Sequence, residues 1–317
     1  MKTPPPRGSR TSGAGSGRRP RTGTGGGAWP YLFLSPYLLL TGVFFLVPFL
    51  NAIVLAFYET NGPRGRVFVG LANFRFLLAD RTFHTALWNT TLFALASVFI
   101  QLPLALGLAV LLNGGGKRTK AILRLILFSP NLVGQIFVGI LFSVLFVPRY
   151  GLVNRTMHAL FRWGLEERWL GNPRLVMPAI ILTSLWLWVG LNMIYFLAAL
   201  QAVDKDLEDA ARIDGADGWR LFWHVTLPSM RPVVVFVTVM SVIGSYQIFE
   251  LPLALLADTN PPGFGPSNAG LTLITYLNEV AFRSGDLGLG SAVGWIVALI
   301  IFTVSLIQIR VSRIGED

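Results

Sequence analysis

The sequence lacks cysteine and carries little charge. With no cysteine among its 317 residues, the chain can form neither a disulfide framework nor a thiolate metal site. Charged residues make up 13% of the chain, whereas an ordinary soluble domain has about 25%. Hydrophobic residues make up 53%, and the mean hydropathy is +0.60. These values predict an integral membrane protein.

Motifs that mark common catalytic sites are also absent. The sequence contains no GxxxxGK[ST] loop, no GxSxG and no HExxH. Its NGGGKR segment at 113–118 lacks the first glycine of an ATP-binding loop and the Ser or Thr after the lysine. His84, His158 and His224 lie far apart, without ligand spacing. We therefore predict a non-catalytic chain with no metal site and no bound cofactor.

The net charge of +10 does not indicate a nucleic-acid partner. The 26 lysines and arginines are spread between long apolar runs and are not gathered with aromatic residues on one face. Residues 1–28 hold six of them, no acidic residue and many Gly, Ser and Pro. Such a segment cannot bury enough apolar surface to order itself. We predict that residues 1–28 are a disordered basic cytoplasmic tail.

Six apolar stretches are long enough to cross a membrane, for which a helix needs about 20 residues. They cover residues 30–57, 87–112, 122–147, 176–200, 232–256 and 287–309. The predicted fold class is therefore an all-α integral membrane protein with about six transmembrane helices, in one transmembrane domain over residues 29–317. Prolines at 36, 48, 103 and 130 are expected to bend these helices. The short apolar segment 71–79 fits an interfacial helix.

Orientation follows from the distribution of basic residues. Six spans place both termini on the same side of the membrane, together with the loops 113–121 and 201–231. That side holds 16 of the 26 lysines and arginines. Because basic residues favour the inner side, we predict that both termini and the loop 201–231 are cytoplasmic.

The loop 201–231 is the most organised connection between spans. It reads QAVDKDLEDAARIDGADGWRLFWHVTLPSMR, with six acidic and four basic residues. The segment LEDAARI consists largely of good helix formers, and Gly215 after it offers a helix stop. A mixed apolar pattern then resumes and continues up to Pro228. The pattern predicts a short helix around 206–214, a turn and a second helix at the cytoplasmic membrane surface. An amphipathic surface helix without a partner is the alternative.

This loop resembles the EAA loop of ABC importer permeases, in which EAA, three residues, Gly, nine residues, Ile, one residue and Leu-Pro follow in order. Asp209, Ala210 and Ala211 stand at the EAA positions, followed by Gly215, Val225, Leu227 and Pro228 at the matching spacings. The run AARIDGA is similar to that of the carbohydrate-uptake branch, the relatives of maltose and glycerol-phosphate permeases. Asp replaces the usual Glu at position 209, and Asp204 replaces a usual proline.

Further blocks carry the same resemblance over most of the chain beyond the tail. They are FVGLANFRFLLAD at 68–80, WNTTLFA at 88–94, SYQIFELP at 245–252 and AFRSGDLGLGSA at 281–292. The resemblance implies a permease subunit in a bacterial cytoplasmic (inner) membrane, surrounded by lipid. It also implies three kinds of protein partner: a second permease subunit, two ATPase subunits that bind ATP and Mg²⁺, and an extracytoplasmic substrate-binding protein. The second permease is expected to be a different chain, with a second copy of this chain as the alternative.

The resemblance assigns the loop a mechanical role, since closure of the ATPase would move its short helix and rock the spans. The expected ATPase-coupling residues are Glu208, Asp209, Ala210, Ala211, Arg212, Asp214, Gly215, Leu227 and Pro228. A secondary transporter, a membrane enzyme and a scaffold protein are the alternative classes. A secondary transporter would carry membrane-buried charges for ion coupling, yet the predicted spans contain only Glu250 and, two residues from an end of the third span, Arg124.

A path for a sugar is predicted from polar residues inside the spans. Ser184, Trp188, Asn192 and Tyr195 recur at helical spacing on one face of the fourth span. Trp, Asn and Tyr can stack on a sugar ring and bind its hydroxyls. The expected path residues are Trp188, Asn192, Tyr195, Tyr246, Gln247, Glu250, Asn131 and Gln135. The alternative is that these residues join helices to one another, as polar side chains in membrane spans often do.

The substrate predicted from these residues is a neutral sugar or oligosaccharide. No Lys or Arg lies in the central part of any predicted span, so a phosphate-bearing substrate would meet no counter-charge in this subunit. Glycerol phosphate or another polar solute is the alternative.

Overall fold

The computed structural model describes residues 29–62, 65–114, 117–162 and 164–313. The predicted disordered tail, residues 1–28, lies outside the described residues. Within them most residues are helical and the only strands form one two-stranded hairpin, which confirms the all-α class. Four helices are long and apolar enough to cross a membrane, and two bent helix pairs raise the number to six if each is one span. This agrees with the predicted number of spans.

The chain separates into two compact units, residues 1–49 and 50–317. In the first unit, α1 (Trp29–Thr41) continues through a π-helix (Gly42–Leu46) into α2 (Val47–Leu55), whose last residues belong to the second unit. The candidate span Tyr31–Leu55 lies within the first predicted span, 30–57.

The second unit holds the remaining elements. Its first half comprises β1 (Tyr58–Asn61), β2 (Gly65–Phe68), α3 (Ala72–Ala79), α4 (Arg81–Ala96), a π-helix (Ser97–Gln101), α5 (Leu102–Gly114), α6 (Lys117–Phe128), a 3-10 helix (Ser129–Leu132), α7 (Gln135–Leu145), α8 (Leu152–Phe161) and α9 (Pro173–Gln201). The strands are antiparallel, with Tyr58 opposite Phe68. Helix α3 covers the segment predicted as an interfacial helix.

The second half contains the loop 201–231 and the last two spans. It comprises α10 (Lys205–Ile213), α11 (Gly218–Leu221), a π-helix (Phe222–Thr226), α12 (Leu227–Ser229), α13 (Arg231–Tyr246), α14 (Glu250–Leu255), a 3-10 helix (Pro266–Asn268), α15 (Leu273–Asn278), a π-helix (Glu279–Arg283) and α16 (Leu287–Arg313).

Proline explains where several helices change geometry. A proline inside a helix donates no N–H and crowds the carbonyl four residues earlier. Pro48, Pro103 and Pro228 each lie two residues after the end of a π-helix, in which the backbone bonds widen to i→i+5. At these three prolines the helix therefore continues without a break. Pro130 lies in the 3-10 helix at which the third span bends by 99°.

The fifth span is shorter than the predicted stretch 232–256. Helix α13 ends at Tyr246, and α14 begins only at Glu250. Pro252 explains the break, because its ring would clash with the Ile248 carbonyl in a continuous helix. That carbonyl instead accepts a hydrogen bond from Thr272 Oγ1 at 3.0 Å. The N-terminal end of the span is also bent, by 71°, between α12 and α13.

Helix α9 forms the centre of the second unit. Its first half packs with α7 and α14 in one buried apolar cluster, and its second half packs with α5 in another. At Gly190 the backbone of α6 comes so close that an added Cβ would lie 1.7 Å from the Leu127 carbonyl oxygen. At Gly139, in α7, an added Cβ would lie 2.7 Å from Ala254 Cβ in α14. Glycine at these two positions therefore sets the separation of the helices that carry the candidate site.

Candidate functional site

A cavity of about 590 Å³ lies within residues 50–317, a size typical of sites for small organic ligands. It is lined by Phe93, Ser97, Gln101, Gln135, Trp188, Leu191, Asn192, Tyr195, Phe236, Val237, Met240, Ser241, Gly244, Ser245, Gln247, Ile248, Phe249, Glu250 and Ile274. Six of the eight predicted path residues are among them.

The fourth span contributes one face of α9 to this cavity. Trp188, Asn192 and Tyr195 all line it. Tyr195 also packs edge-on against Phe236, with ring centroids 6.2 Å apart. Ser184, on the same helical face, is buried and donates a hydrogen bond to Gln101 Oε1 at 3.3 Å. The face therefore has two functions: its end at Ser184 joins helices, and the remainder is open to the cavity.

The break in the fifth span places backbone and side chains at the cavity wall. Gln247, at the end of α13, and Glu250, at the start of α14, both line it. They do not lie one turn apart on a continuous helix, because the chain is not helical between them. Non-helical backbone at membrane depth is tolerated where it is buried in protein or lines a watery cavity. Here the interrupted segment lines the cavity, and Ile248 within it is buried.

Two predicted path residues lie elsewhere. Tyr246 is buried, and its hydroxyl lies 3.1 Å from Thr91 Oγ1. Asn131 belongs to the 3-10 helix before the bend in the third span and is not part of the cavity lining. Gln135, on the other side of the bend, does line the cavity. Asn131 and Gln135 do not share one helical face, because the helix is interrupted between them.

Hydrogen bonding separates side chains that join helices from side chains that are free to bind. Ser97 Oγ lies 2.6 Å from Ser241 Oγ, and this pair joins the second span to the fifth. In contrast, within the described ranges the side chains of four lining residues make no hydrogen bond or ion pair with protein. These residues are Gln135, Asn192, Gln247 and Glu250. Their polar groups are therefore available to a solute.

Four polar lining residues were not identified from the sequence. They are Ser97 and Gln101 in the second span, and Ser241 and Ser245 in the fifth. Each pair is spaced by four residues, the same helical spacing that identified Trp188 and Asn192. The same spacing rule, applied to the second and fifth spans, would therefore have identified these four residues from the sequence.

The cavity contains one acidic residue and no basic one. Glu250 is the only charged residue among the described lining residues. Aromatic rings line the same cavity, from Phe93, Trp188, Tyr195, Phe236 and Phe249. Flat apolar rings beside unpaired carboxamides suit a molecule with a carbon ring and many hydroxyl groups.

The loop 201–231 forms a capped helix, as its sequence predicts. The Asp204 side chain accepts a hydrogen bond from the Asp206 backbone N–H at 2.9 Å, so the residue that replaces a proline of the family is the N-cap of α10. At the other end, Ala216 N–H bonds to the Ala211 carbonyl. Gly215 N–H bonds to the Arg212 carbonyl, and Gly215 has a φ of +87°. This arrangement is a Schellman motif.

The predicted coupling residues differ in the direction they face. Asp209 is exposed and forms a 3.9 Å ion pair with Arg212 on its own helix. Ala210 and Asp214 are also exposed, Ala211 is half-buried, and after the turn Leu227 is half-buried and Pro228 exposed. Glu208 faces the chain, where its Oε1 accepts a hydrogen bond from Thr226 Oγ1 at 3.2 Å.

A partly buried hydrogen bond joins the start of α4 to α15. Tyr276 donates its hydroxyl to Asp80 Oδ2 at 2.7 Å. Burial of Asp80 would raise its pKa, but hydrogen bonds from Tyr276 and from the backbone N–H groups of Thr82 and Phe83 prevail and lower it. Burial, reinforced by Asp80, raises the pKa of Tyr276 well above its usual range. The pair is thus held as phenol and carboxylate at neutral pH and fixes α4 on α15.

The described residues contain no group of three or more His, Asp or Glu that could hold a metal ion. The candidate site is therefore a cavity with a separate exposed helix, without a metal centre among the described residues.

Comparison with known proteins identifies the family of the chain. Residues 101–314 match the family model described as binding-protein-dependent transport system inner membrane component. The chain is 36% identical to the arabinooligosaccharides transport system permease protein AraP of Bacillus subtilis (strain 168), over 90% of this chain and 88% of that protein. It is 34% identical to the lactose transport system permease protein LacF of Rhizobium radiobacter, over 89% of this chain and 93% of that protein.

A solved structure shares the fold. It is a bacterial alginate ABC transporter in complex with an alginate pentasaccharide-bound periplasmic protein. One of its chains matches with a TM-score of 0.77 and 20% identity, over 90% of this chain and 94% of that chain.

Proposed function

Because the chain belongs to the family of inner membrane components of binding-protein-dependent transport systems, we propose that its cavity is part of the path of a neutral sugar or oligosaccharide through the membrane. The protein is a permease subunit of an ABC importer for sugars or oligosaccharides, as are the relatives named for arabinooligosaccharides and lactose. The more specific proposal, that the substrate passes through this cavity, rests on four polar side chains that line the cavity and have no protein partner among the described residues.

Neutrality of the substrate is inferred from the charge in the cavity. A phosphate or carboxylate group would approach Glu250 without a described lysine or arginine to compensate. Desolvating an unpaired anion is costly, whereas sugar hydroxyls can both donate to and accept from the carboxamides of Gln135, Asn192 and Gln247. A neutral sugar thus fits this lining better than glycerol phosphate does.

The proposed assembly has four further protein subunits. A second permease, a different chain, completes the path; two ATPase subunits bind ATP and Mg²⁺; and an external binding protein delivers the substrate. This chain contributes no catalytic group and binds no cofactor of its own. The family, whose members are binding-protein-dependent, supports the need for the delivering protein.

The exposed helix α10 is proposed to dock on an ATPase subunit. Asp209, Ala210 and Asp214 are available for this contact because they are exposed on α10 or at its end. Closure of the ATPases would displace α10, and α13 would carry the motion to the cavity, since both helices belong to one continuous stretch of chain.

Alanine substitutions in the cavity test the path. Trp188→Ala, Asn192→Ala and Gln247→Ala, each made singly in the assembled complex, are expected to lower substrate uptake while assembly and basal ATP hydrolysis remain. The lost contacts are with the substrate, because Asn192 and Gln247 bind no other described side chain. Uptake of labelled substrate and the ATPase rate of the purified complex are the measurements.

The matched control is Tyr246→Phe, which removes a hydroxyl that bonds to Thr91 and does not line the cavity. This variant is expected to lower the yield or stability of the complex, whereas uptake per assembled complex is expected to be unchanged. Loss of assembly in all three alanine variants would show instead that these residues hold helices together.

Orientation gives a second prediction. With both termini and the loop 201–231 in the cytoplasm, a cysteine at Asp217 is expected to resist a membrane-impermeant thiol reagent in intact cells and to react after the membrane is opened. Asp217 is exposed, and the native chain has no cysteine that would give a background signal. Labelling in intact cells would show that the loop 201–231 faces the outside and would contradict the proposed orientation.

A further inference from the structure

Few side chains attach α10 to the rest of the chain. None of its residues is buried. Two of its polar contacts stay within the segment, namely the Asp204 cap and the ion pair between Asp209 and Arg212. In the described part of the chain, the one side-chain hydrogen bond that leaves α10 joins Glu208 to Thr226. This bond is therefore the main polar restraint on the orientation of the helix.

Thr226 lies where the loop 201–231 leads into the fifth span. It is 6% exposed and ends the π-helix that precedes Leu227 and Pro228. Four residues later, buried Met230 packs in the same apolar cluster as α9, and α13 begins at a bend of 71°. Helix α13 then supplies cavity residues from Phe236 to Ser245. Thr226 thus lies between the exposed helix and the helix that lines the cavity.

We infer that Glu208 is a positioning residue that holds α10 on the base of α13 through Thr226, so that displacement of α10 moves the cavity wall. The inference rests on the proposed function. The sequence groups Glu208 with the ATPase-coupling residues. The inference gives Glu208 a coupling role within its own chain, because its carboxylate faces Thr226. Asp209, the next residue, points outward and remains available to a partner.

The chemistry of the bond predicts which substitutions matter. The Thr226 hydroxyl donates and Glu208 Oε1 accepts. A glutamine at 208 keeps an acceptor oxygen, and a serine at 226 keeps the donor. A valine at 226 removes the donor with almost no change in side-chain size, whereas an alanine at 208 removes the acceptor together with the charge and most of the side chain. A hydrogen bond to a charged group corresponds to about a tenfold change in the population of the attached state.

The test compares Glu208→Ala, Thr226→Val and the double variant with Glu208→Gln and Thr226→Ser, in the full complex with the binding protein present. Substrate uptake and ATP hydrolysis are measured in the same proteoliposomes. We expect Glu208→Ala and Thr226→Val each to lower the substrate transported per ATP by about tenfold, with hydrolysis retained. The double variant is expected to be no worse than either single variant, and the Gln and Ser variants to resemble the wild type.

Three results would overturn the inference. One is normal coupling in Thr226→Val, which would place the function of Glu208 at a partner surface. Another is additive loss in the double variant. The third is failure of Glu208→Gln, which would show that the charge is required and the hydrogen bond is not. The wild-type complex reports separately on the proposed function, since it must transport substrate at the expense of ATP whatever the variants do.

Amide hydrogen exchange provides a readout if the Ala or Val variant does not assemble. It is measured on the full-length permease in detergent, without partners. Exchange over 208–213 is expected to be about tenfold faster in Glu208→Ala and Thr226→Val and unchanged in Glu208→Gln and Thr226→Ser. Equal exchange in all variants would show that the bond does not restrain α10, and the inference would fail.

Discussion

Replacing Gly215 by valine is expected to lower substrate uptake by about tenfold or more, while the chain still inserts and the complex assembles. Gly215 closes α10 with a φ of +87°, and a left-handed backbone costs an ordinary L-residue about 1–2 kcal/mol, more for a β-branched one. Apart from the two chain neighbours of Gly215, no atom of the described residues lies within 4 Å of an added Cβ. The expected loss therefore comes from a changed end of α10 and not from a clash within the permease.

Asp209→Lys is likewise expected to lower substrate uptake with membrane insertion intact, because it reverses the charge of an exposed residue and places the new positive charge beside Arg212. The loss expected here is of docking, because a side chain this exposed contributes little to the stability of the permease itself. Gly215→Asn is the matched control, since asparagine tolerates a positive φ. Uptake and the amount of copurifying ATPase are measured for all three variants. Normal uptake in both Gly215→Val and Asp209→Lys would contradict the docking role of α10.

The long elements of the fold could be predicted because membrane burial leaves a strong local signal. Continuous apolar runs gave six candidate spans, and the described helices occupy them. Helix α10 was predictable for a different reason: acidic residues near its start and Gly215 after its end are local capping signals. Both kinds of signal are properties of neighbouring residues and need no knowledge of the tertiary structure.

The breaks inside spans were harder to predict. Pro252 interrupts the fifth span only because Thr272, twenty-four residues away from Ile248, satisfies the carbonyl that the break releases. Pro103 causes no such break, since the wider backbone bonding of the preceding π-helix accommodates the proline ring. The outcome at a proline thus depends on which partners the fold brings near, and sequence alone shows only where a deviation is expected.

The candidate site was predictable to the extent that it follows one helical face. Trp188, Asn192 and Tyr195 were found in this way. Tyr246 was also predicted to line the path, yet its hydroxyl bonds to Thr91, a residue 155 positions away. Pairings over such separations decide whether a polar residue joins helices or lines a cavity. The orientation of Glu208 toward Thr226 depended on tertiary packing in the same way.

The energy source for transport distinguishes an ABC permease from a secondary transporter. If the chain is a permease driven by separate ATPase subunits, transport should stop completely without ATP. The described cavity lining offers one carboxylate, Glu250, and no basic partner for an ion-coupled cycle. A proton or sodium gradient alone is therefore expected to drive no uptake.

The most direct measurement is uptake by the complex purified through a tag on this chain and reconstituted in liposomes with its binding protein outside. A neutral oligosaccharide that the binding protein retains is expected to accumulate when ATP is enclosed, and to remain at the level of empty liposomes without ATP or with a non-hydrolysable analogue. Accumulation driven by an ion gradient in the absence of ATP would contradict the account. Accumulation of phosphate-bearing or acidic substrates alone would contradict the proposed substrate class.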